Sequence, residues 1–153
     1  MAKREMVEAH VENLLKRITG NEQLRRDDDG DWPFGLKHSV MYVRVSGDTD
    51  PTVNVFGVAA HSVPEGPELF KMLNDLNGTV QFSRAMWRKG EVVIATELVG
   101  ESLDIEELQM AVDRVSAGAD HFGPQIVEAC GGETVRKPPA DEPSAPGPTG
   151  QYL

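Results

Sequence analysis

Cysteine is almost missing from this chain of 153 residues. Cys130 stands alone, so neither an intramolecular disulfide nor a cysteine-based zinc site can form. Long apolar runs are missing too. No stretch approaches the roughly 18 residues needed to span a bilayer. The opening stretch MAKREMVEAHVENLLKRI is charged throughout and has no apolar centre of a secretory signal. Positive charge is scarce: 15 Lys and Arg face 25 Asp and Glu, a formal net charge of −10. Nucleic acid and anionic membrane both need a cationic surface, so neither is an expected partner. The motifs HExxH, GxSxG, GxGxxG and the P-loop are absent. What remains is a cytoplasmic protein of one domain, long enough to bury a core without staples.

Periodicity then sets the elements. Val7, Val11, Leu14, Leu15 and Ile18 recur at helical spacing, and Gly20 stops the pattern. Strand-like runs follow at Leu24–Asp27 and Trp32–Leu36, on either side of an aspartate-rich turn. The run SVMYVRVSG puts Met41, Val43 and Val45 on one face and Val40, Tyr42 and Arg44 on the other. The run TVNVFGVAAHSV puts Val53 and Val55 opposite Asn54, Phe56 and Val58. Pro67 suits a first helical turn, and Leu69, Phe70, Leu73 and Leu76 make the stripe of a helix that Asn77-Gly78 ends. Val80–Arg88 and Glu91–Val99 read as a hairpin closed at Lys89-Gly90.

A last helix starts at Asp104, with Glu107 completing a capping box. Ile105, Leu108, Ala111, Val112, Val115 and Ala119 line one side of it. Gly123-Pro124 predicts a kink or break between Asp120 and Pro124, because proline removes a helical hydrogen bond and crowds the preceding turn. Residues 1–135 form the domain. Residues 136–153, RKPPADEPSAPGPTGQYL, hold five of the ten prolines and no Val, Ile or Phe, and read as a disordered Pro-rich tail. The fold class is α+β: an antiparallel sheet of about five strands with helices packed on it.

The stretch DDDGD, Asp27–Asp31, is the first candidate for chemistry. A calcium loop needs oxygen ligands at positions 1, 3, 5 and 12 around a glycine at 6. Setting Gly30 at position 6 puts Arg25 at 1 and Leu36 at 12, and both fail. Asp-Gly is a hairpin-turn signal, so a structural turn is the first reading and a cation site the second. His10, His38, His61 and His121 form no paired metal motif, so no metal and no cofactor is expected. Cys130 has no basic neighbour in sequence and reads as an inert filler. The PSAP segment at Pro143–Pro146 matches a short polyproline ligand by composition alone. Trp32 and Trp87 each sit in a strand beside a turn. They either pack under a helix or, on an uncovered sheet, line a peptide platform.

Taken together, DDDGDWPF, YVRV, VNVFGVAAHSV, LFKMLNDLN, VQFSRAMWRKGEVVIATEL and ADHFGPQIVEACGG resemble the actinobacterial YbjN-domain proteins. These belong to the superfamily that is similar to type III secretion chaperones. The resemblance runs from the first helix to Gly132. It implies the order α-β-β-β-α-β-β-α, a non-enzymatic role, homodimers and the binding of partner proteins in extended form.

The expected function is therefore a non-enzymatic peptide- or protein-binding chaperone or adaptor, possessing no catalytic residues. An extended segment would lie along a sheet edge or face, with Trp32, Phe56, Phe82 and Trp87 lining the surface. The rival expectation is a small-ligand or cation-binding sensor built on the acidic turn. A third is a structural subunit that acts only as a dimer.

Overall fold

Alternation decides which side of β2 and β3 is buried, and it does so here as the sequence predicts. The computed structural model describes residues 3–137. These form α1 (Lys3–Thr19), β1 (Trp32–Gly35), β2 (Val40–Ser46), β3 (Thr52–Ala60), α2 (Pro67–Asn77), β4 (Arg84–Arg88), β5 (Glu91–Val99) and α3 (Ile105–Cys130). The strands make one antiparallel sheet in the order β1-β2-β3-β5-β4. The sequence α-β-β-β-α-β-β-α is the expected one.

The three helices lie on one side of the sheet. Val43, Val53 and Val55 bury there against Val11 and Leu15 of α1 and Leu108 and Val115 of α3. A second cluster joins Val92 and Ile94 to Leu69 and Leu73 of α2 and Ile126 of α3. α3 spans both clusters. It lies close on β3 because Gly57 and Gly123 leave room. A Cβ on Gly123 would stand 2.4 Å from the Ala59 carbonyl oxygen, and one on Gly57 would stand 2.8 Å from the Ala119 Cβ.

Four local expectations need correction. Leu24–Asp27 is not a strand. Its backbone is spent on the turn instead, since the Asp27 N–H donates to the Asp31 carbonyl at 2.7 Å, while Leu24 tucks into the core. β4 starts at Arg84 rather than Val80, because the Thr79 and Val80 N–H groups still bond the Leu76 carbonyl and Phe82 turns at φ 58°. Phe70 leaves the apolar stripe of α2 and is 44% exposed, lying edge-on to Trp87. Leu69, Leu73 and Leu76 alone carry the buried face.

The fourth correction is to the expected break in α3, which runs from Ile105 to Cys130 as one helix with Pro124 inside. A helical proline costs on the order of 3 kcal/mol. Burial of Ala119, Gly123 and Ile126 on the sheet side holds the helix together across it. The capping box is present, with the Glu107 N–H donating to Asp104 at 2.8 Å and the Asp104 N–H to Glu107 at 3.1 Å. The Lys89-Gly90 turn has both residues at positive φ, as a two-residue type I′ hairpin requires.

Asp120, one turn before Pro124, fastens α3 to the β1–β2 turn. Its carboxylate accepts the Lys37 N–H at 2.9 Å, the His38 N–H at 2.7 Å and the Ser39 hydroxyl at 2.8 Å. Asp120→Ala is expected to destabilise the domain by about 2 kcal/mol, the scale of lost charged hydrogen bonds. Hydrogen exchange should show the Lys37 and His38 amides opening first.

Cys130 points at the Met72 sulfur, 3.6 Å away. Burial pushes its thiol above the ordinary value, and Glu68 adds to the shift. At neutral pH it is therefore held more firmly as the thiol than a free cysteine is. Alkylation by iodoacetamide should be slower than that of glutathione, with its pH–rate curve displaced to higher pH. Equal rates would contradict this.

Candidate functional site

A strand residue that does not face the helices faces the other way, and on this sheet no described element covers that second side. Register builds it row by row. Gly35, Val40, Val58, Val93 and Met86 align across β1-β2-β3-β5-β4. The adjacent row is Pro33, Tyr42, Phe56, Ala95 and Arg84. Tyr42 and Phe56 stack with ring centroids 5.3 Å apart. The result is an apolar stripe crossing the whole sheet. A shallow depression of about 190 Å3 lies on this face, lined by Arg44, Phe56, Met86, Arg88 and Val93 among others.

Charged side chains rim the stripe. Arg44 stands over the Phe56 ring, 5.1 Å from its centroid. Its position comes from the acidic turn. Asp31 is only 3% exposed and takes the Arg44 guanidinium in two hydrogen bonds of 2.7 Å each. That bond raises the Arg44 pKa above the ordinary arginine value against the opposing effect of burial, and Asp31, Asp29 and Asp27 add by charge. Asp27 in turn accepts the N–H groups of Asp29 and Asp31, both at 2.9 Å. The turn is thus a scaffold that presents Arg44 beside the aromatic pair. Nothing in it favours the cation-site reading. Among the described residues, no group of three or more His, Cys, Asp or Glu side chains is placed to hold a metal. On β4, Arg84 pairs with Glu97 at 2.7 Å, and Arg88 lines the depression.

The edges of the sheet offer less than its face. Asn77 caps β4, donating to the Ala85 carbonyl at 2.9 Å and accepting the Ala85 N–H at 2.7 Å. β1 is four residues long and carries Pro33, which has no N–H to share.

The four aromatics expected to line one surface are not brought together. Trp32 is fully buried beneath α1, with its indole N–H 3.3 Å from Glu12. It pairs with Val43 and so faces the helices rather than the open face. Trp87 is on the helix side as well, half-buried, donating to the Val63 carbonyl at 2.8 Å. Phe82 is 74% exposed but lies against Arg114 of α3, 4.9 Å from its guanidinium carbon. Phe56 alone sits on the open face. Sequence reasoning missed Val40, Tyr42, Val58, Met86 and Val93 as its companions. For Val40, Tyr42 and Val58 the signal was present in the alternation of β2 and β3, while Met86 and Val93 lie in apolar runs of β4 and β5 that do not alternate.

No curated protein matches the chain. Solved structures do. A chain of the "ExsC-ExsE Complex" shares the fold with a TM-score of 0.61 at 13% identity, over 82% of this chain and 97% of that one. A chain of the "HopA1-SchA Chaperone-Effector Complex" does so with a TM-score of 0.55 at 16% identity, over 80% and 97%. No helix among the described residues is long and apolar enough to cross a membrane. A family model matches residues 5–138. The chain belongs to the family described as T3SS (YopN, CesT) and YbjN peptide-binding chaperone 1.

Proposed function

We propose that this protein is a peptide-binding chaperone whose docking surface is the uncovered face of the sheet. The observation that carries the reading is the apolar stripe Val40, Val58, Val93 and Met86, with Tyr42 and Phe56 beside it, on a face that no described element covers. An extended segment could place alternate side chains on this stripe while arginines at its rim meet polar or acidic groups. The family description and the chaperone–effector title of one structural relative support a polypeptide ligand.

The reading has the protein bind without catalysing, in the cytoplasm, as a homodimer and within the actinobacterial YbjN branch. The single cysteine and acidic composition support the location, and the motif run quoted above supports the branch. For the dimer, exposed Met110 and Phe82 flank Arg114 on the helix side and offer a contact separate from the open face. Sedimentation equilibrium at micromolar protein should return twice the chain mass. The chain mass alone would remove the dimer from the reading.

Site-specific photo-cross-linking tests the docking surface. Benzoylphenylalanine at Val58, on the open face, should capture polypeptide in a lysate, and the same group at exposed Gln125 of α3 should not. Capture from position 125 and none from 58 would overturn the assignment.

A further inference from the structure

We propose that the depression on the open sheet face is a carboxylate subsite. It takes an acidic side chain of the bound segment, while the segment's apolar neighbours lie on the stripe. The inference rests on the docking surface proposed above and names the class of its ligand: an extended peptide in which Asp or Glu stands beside apolar residues.

Charge singles the depression out. The chain has 15 Lys and Arg against 25 Asp and Glu. The depression reverses that balance, with Arg44, Arg84 and Arg88 against Glu97 among its lining residues. Register explains how they meet. Arg44 on β2 and Arg84 and Arg88 on β4 flank β3 and β5 from either side. In the row Tyr42, Phe56, Ala95, Arg84, the small side chain of Ala95 leaves a hollow between the Phe56 ring and the β4 arginines.

The donors around this hollow are not used up. Arg44 gives Nε and Nη2 to the two oxygens of Asp31, each at 2.7 Å, and keeps Nη1 unspent. The two-pronged bond also fixes the direction of the remaining N–H groups. Arg84 gives Nη2 to Glu97 at 2.7 Å and keeps its other N–H groups. Arg88 makes no ion pair among the described residues, not even with Glu91, its register partner beside the β4–β5 turn. Asp31 and Glu97 offset two of the three guanidinium charges, and that of Arg88 is left for a ligand.

Guanidinium N–H groups only donate, so the ligand must bring acceptors. The carbonyls of any segment would do, but a carboxylate adds the opposite charge, and its bonds are roughly twice as strong as neutral ones. Phe56, Ala95 and Val93 give the hollow apolar walls, where such bonds gain further strength. An arriving Lys or Arg meets like charge instead. In an extended segment, side chains on one side stand about 7 Å apart, between one and two strand spacings. An apolar residue two places from the carboxylate therefore falls on the stripe.

A random peptide library displayed on phage and selected on the immobilised full chain tests the subsite. Selected peptides should carry Asp or Glu near apolar residues several-fold more often than the unselected library. Selection on Arg84→Glu with Arg88→Glu should abolish that excess and favour Lys or Arg. Both side chains are exposed and lie outside the core clusters, so the melting temperature should hold. Arg17→Glu with Lys71→Glu makes the same change in net charge on exposed sites of α1 and α2, and should leave the excess in place. An acidic peptide so selected should also bind several-fold more tightly at low salt than at physiological salt.

Apolar peptides selected with no acidic excess, or an excess that falls equally with both pairs of substitutions, would overturn the subsite. If that selection is still lost in Phe56→Asp with Val58→Asp, the docking surface stands without it. Selection indifferent to Phe56→Asp with Val58→Asp, or no selection at all, would remove the docking surface and the subsite with it.

Discussion

Phe56→Asp combined with Val58→Asp is expected to lower capture of a partner polypeptide at least tenfold while leaving the fold in place. Both side chains are half-buried on the open face, and neither contributes to the two core clusters under the helices. Their loss in the free protein removes the Tyr42–Phe56 stacking, the Arg44 contact and the packing of Val58 between Val40 and Val93. Such pair contacts contribute about 0.5–1.5 kcal/mol. In a complex the same change places two carboxylates in the middle of an apolar interface, where an unpaired buried charge is far more costly. A penalty of about 1.4 kcal/mol already gives tenfold. The measurement is capture from a Gln-tagged or immobilised chain beside its melting temperature. Unchanged capture with unchanged melting would place the partner elsewhere.

Trp32→Ala should act in the opposite way, through stability first. The indole is wholly buried between α1 and β2, beneath Glu12 and beside the Arg26 guanidinium at 5.6 Å. Truncating a buried Trp costs about 3–5 kcal/mol. For a domain whose total stability is on the order of 5–15 kcal/mol, that is a large fraction. The melting temperature should fall by on the order of 10 °C. At temperatures where the variant stays folded, capture should be preserved. Loss of capture by the folded variant, with little change in melting, would restore Trp32 to the binding surface.

These three residues show what the sequence could and could not say. Val43, Val53 and Val55, spaced by two, announced a buried strand face, and the structure buries all three. Asp104 and Glu107 announced a helix start through local hydrogen bonds, and both bonds form. Such signals are local, so one strand or one turn suffices to read them. The side that stays open is not local. Val40, Phe56 and Val58 would look the same under a second layer of helices as they do under a partner. Which of its two readings Trp32 follows could not be told from the sequence, because its side comes from pairing with Val43, and a strand of four residues is too short to show its own alternation. The acidic turn was legible as a turn. Its use was not, because Asp31 and Arg44 meet only after β1 pairs with β2. Pro124 misled for the same reason: a local penalty was weighed without the packing of α3 on β3 that offsets it.

Methyl NMR of the protein bound to a synthetic peptide, cut from whatever polypeptide cross-links at Val58, tests the docking surface most directly. The methyl signals of Val40, Val58, Met86 and Val93 should shift together on saturation, while those of Met72, Met110 and Ile126 on the helix side stay in place. Movement of Met72, Met110 and Ile126 with the four open-face residues unmoved would contradict it.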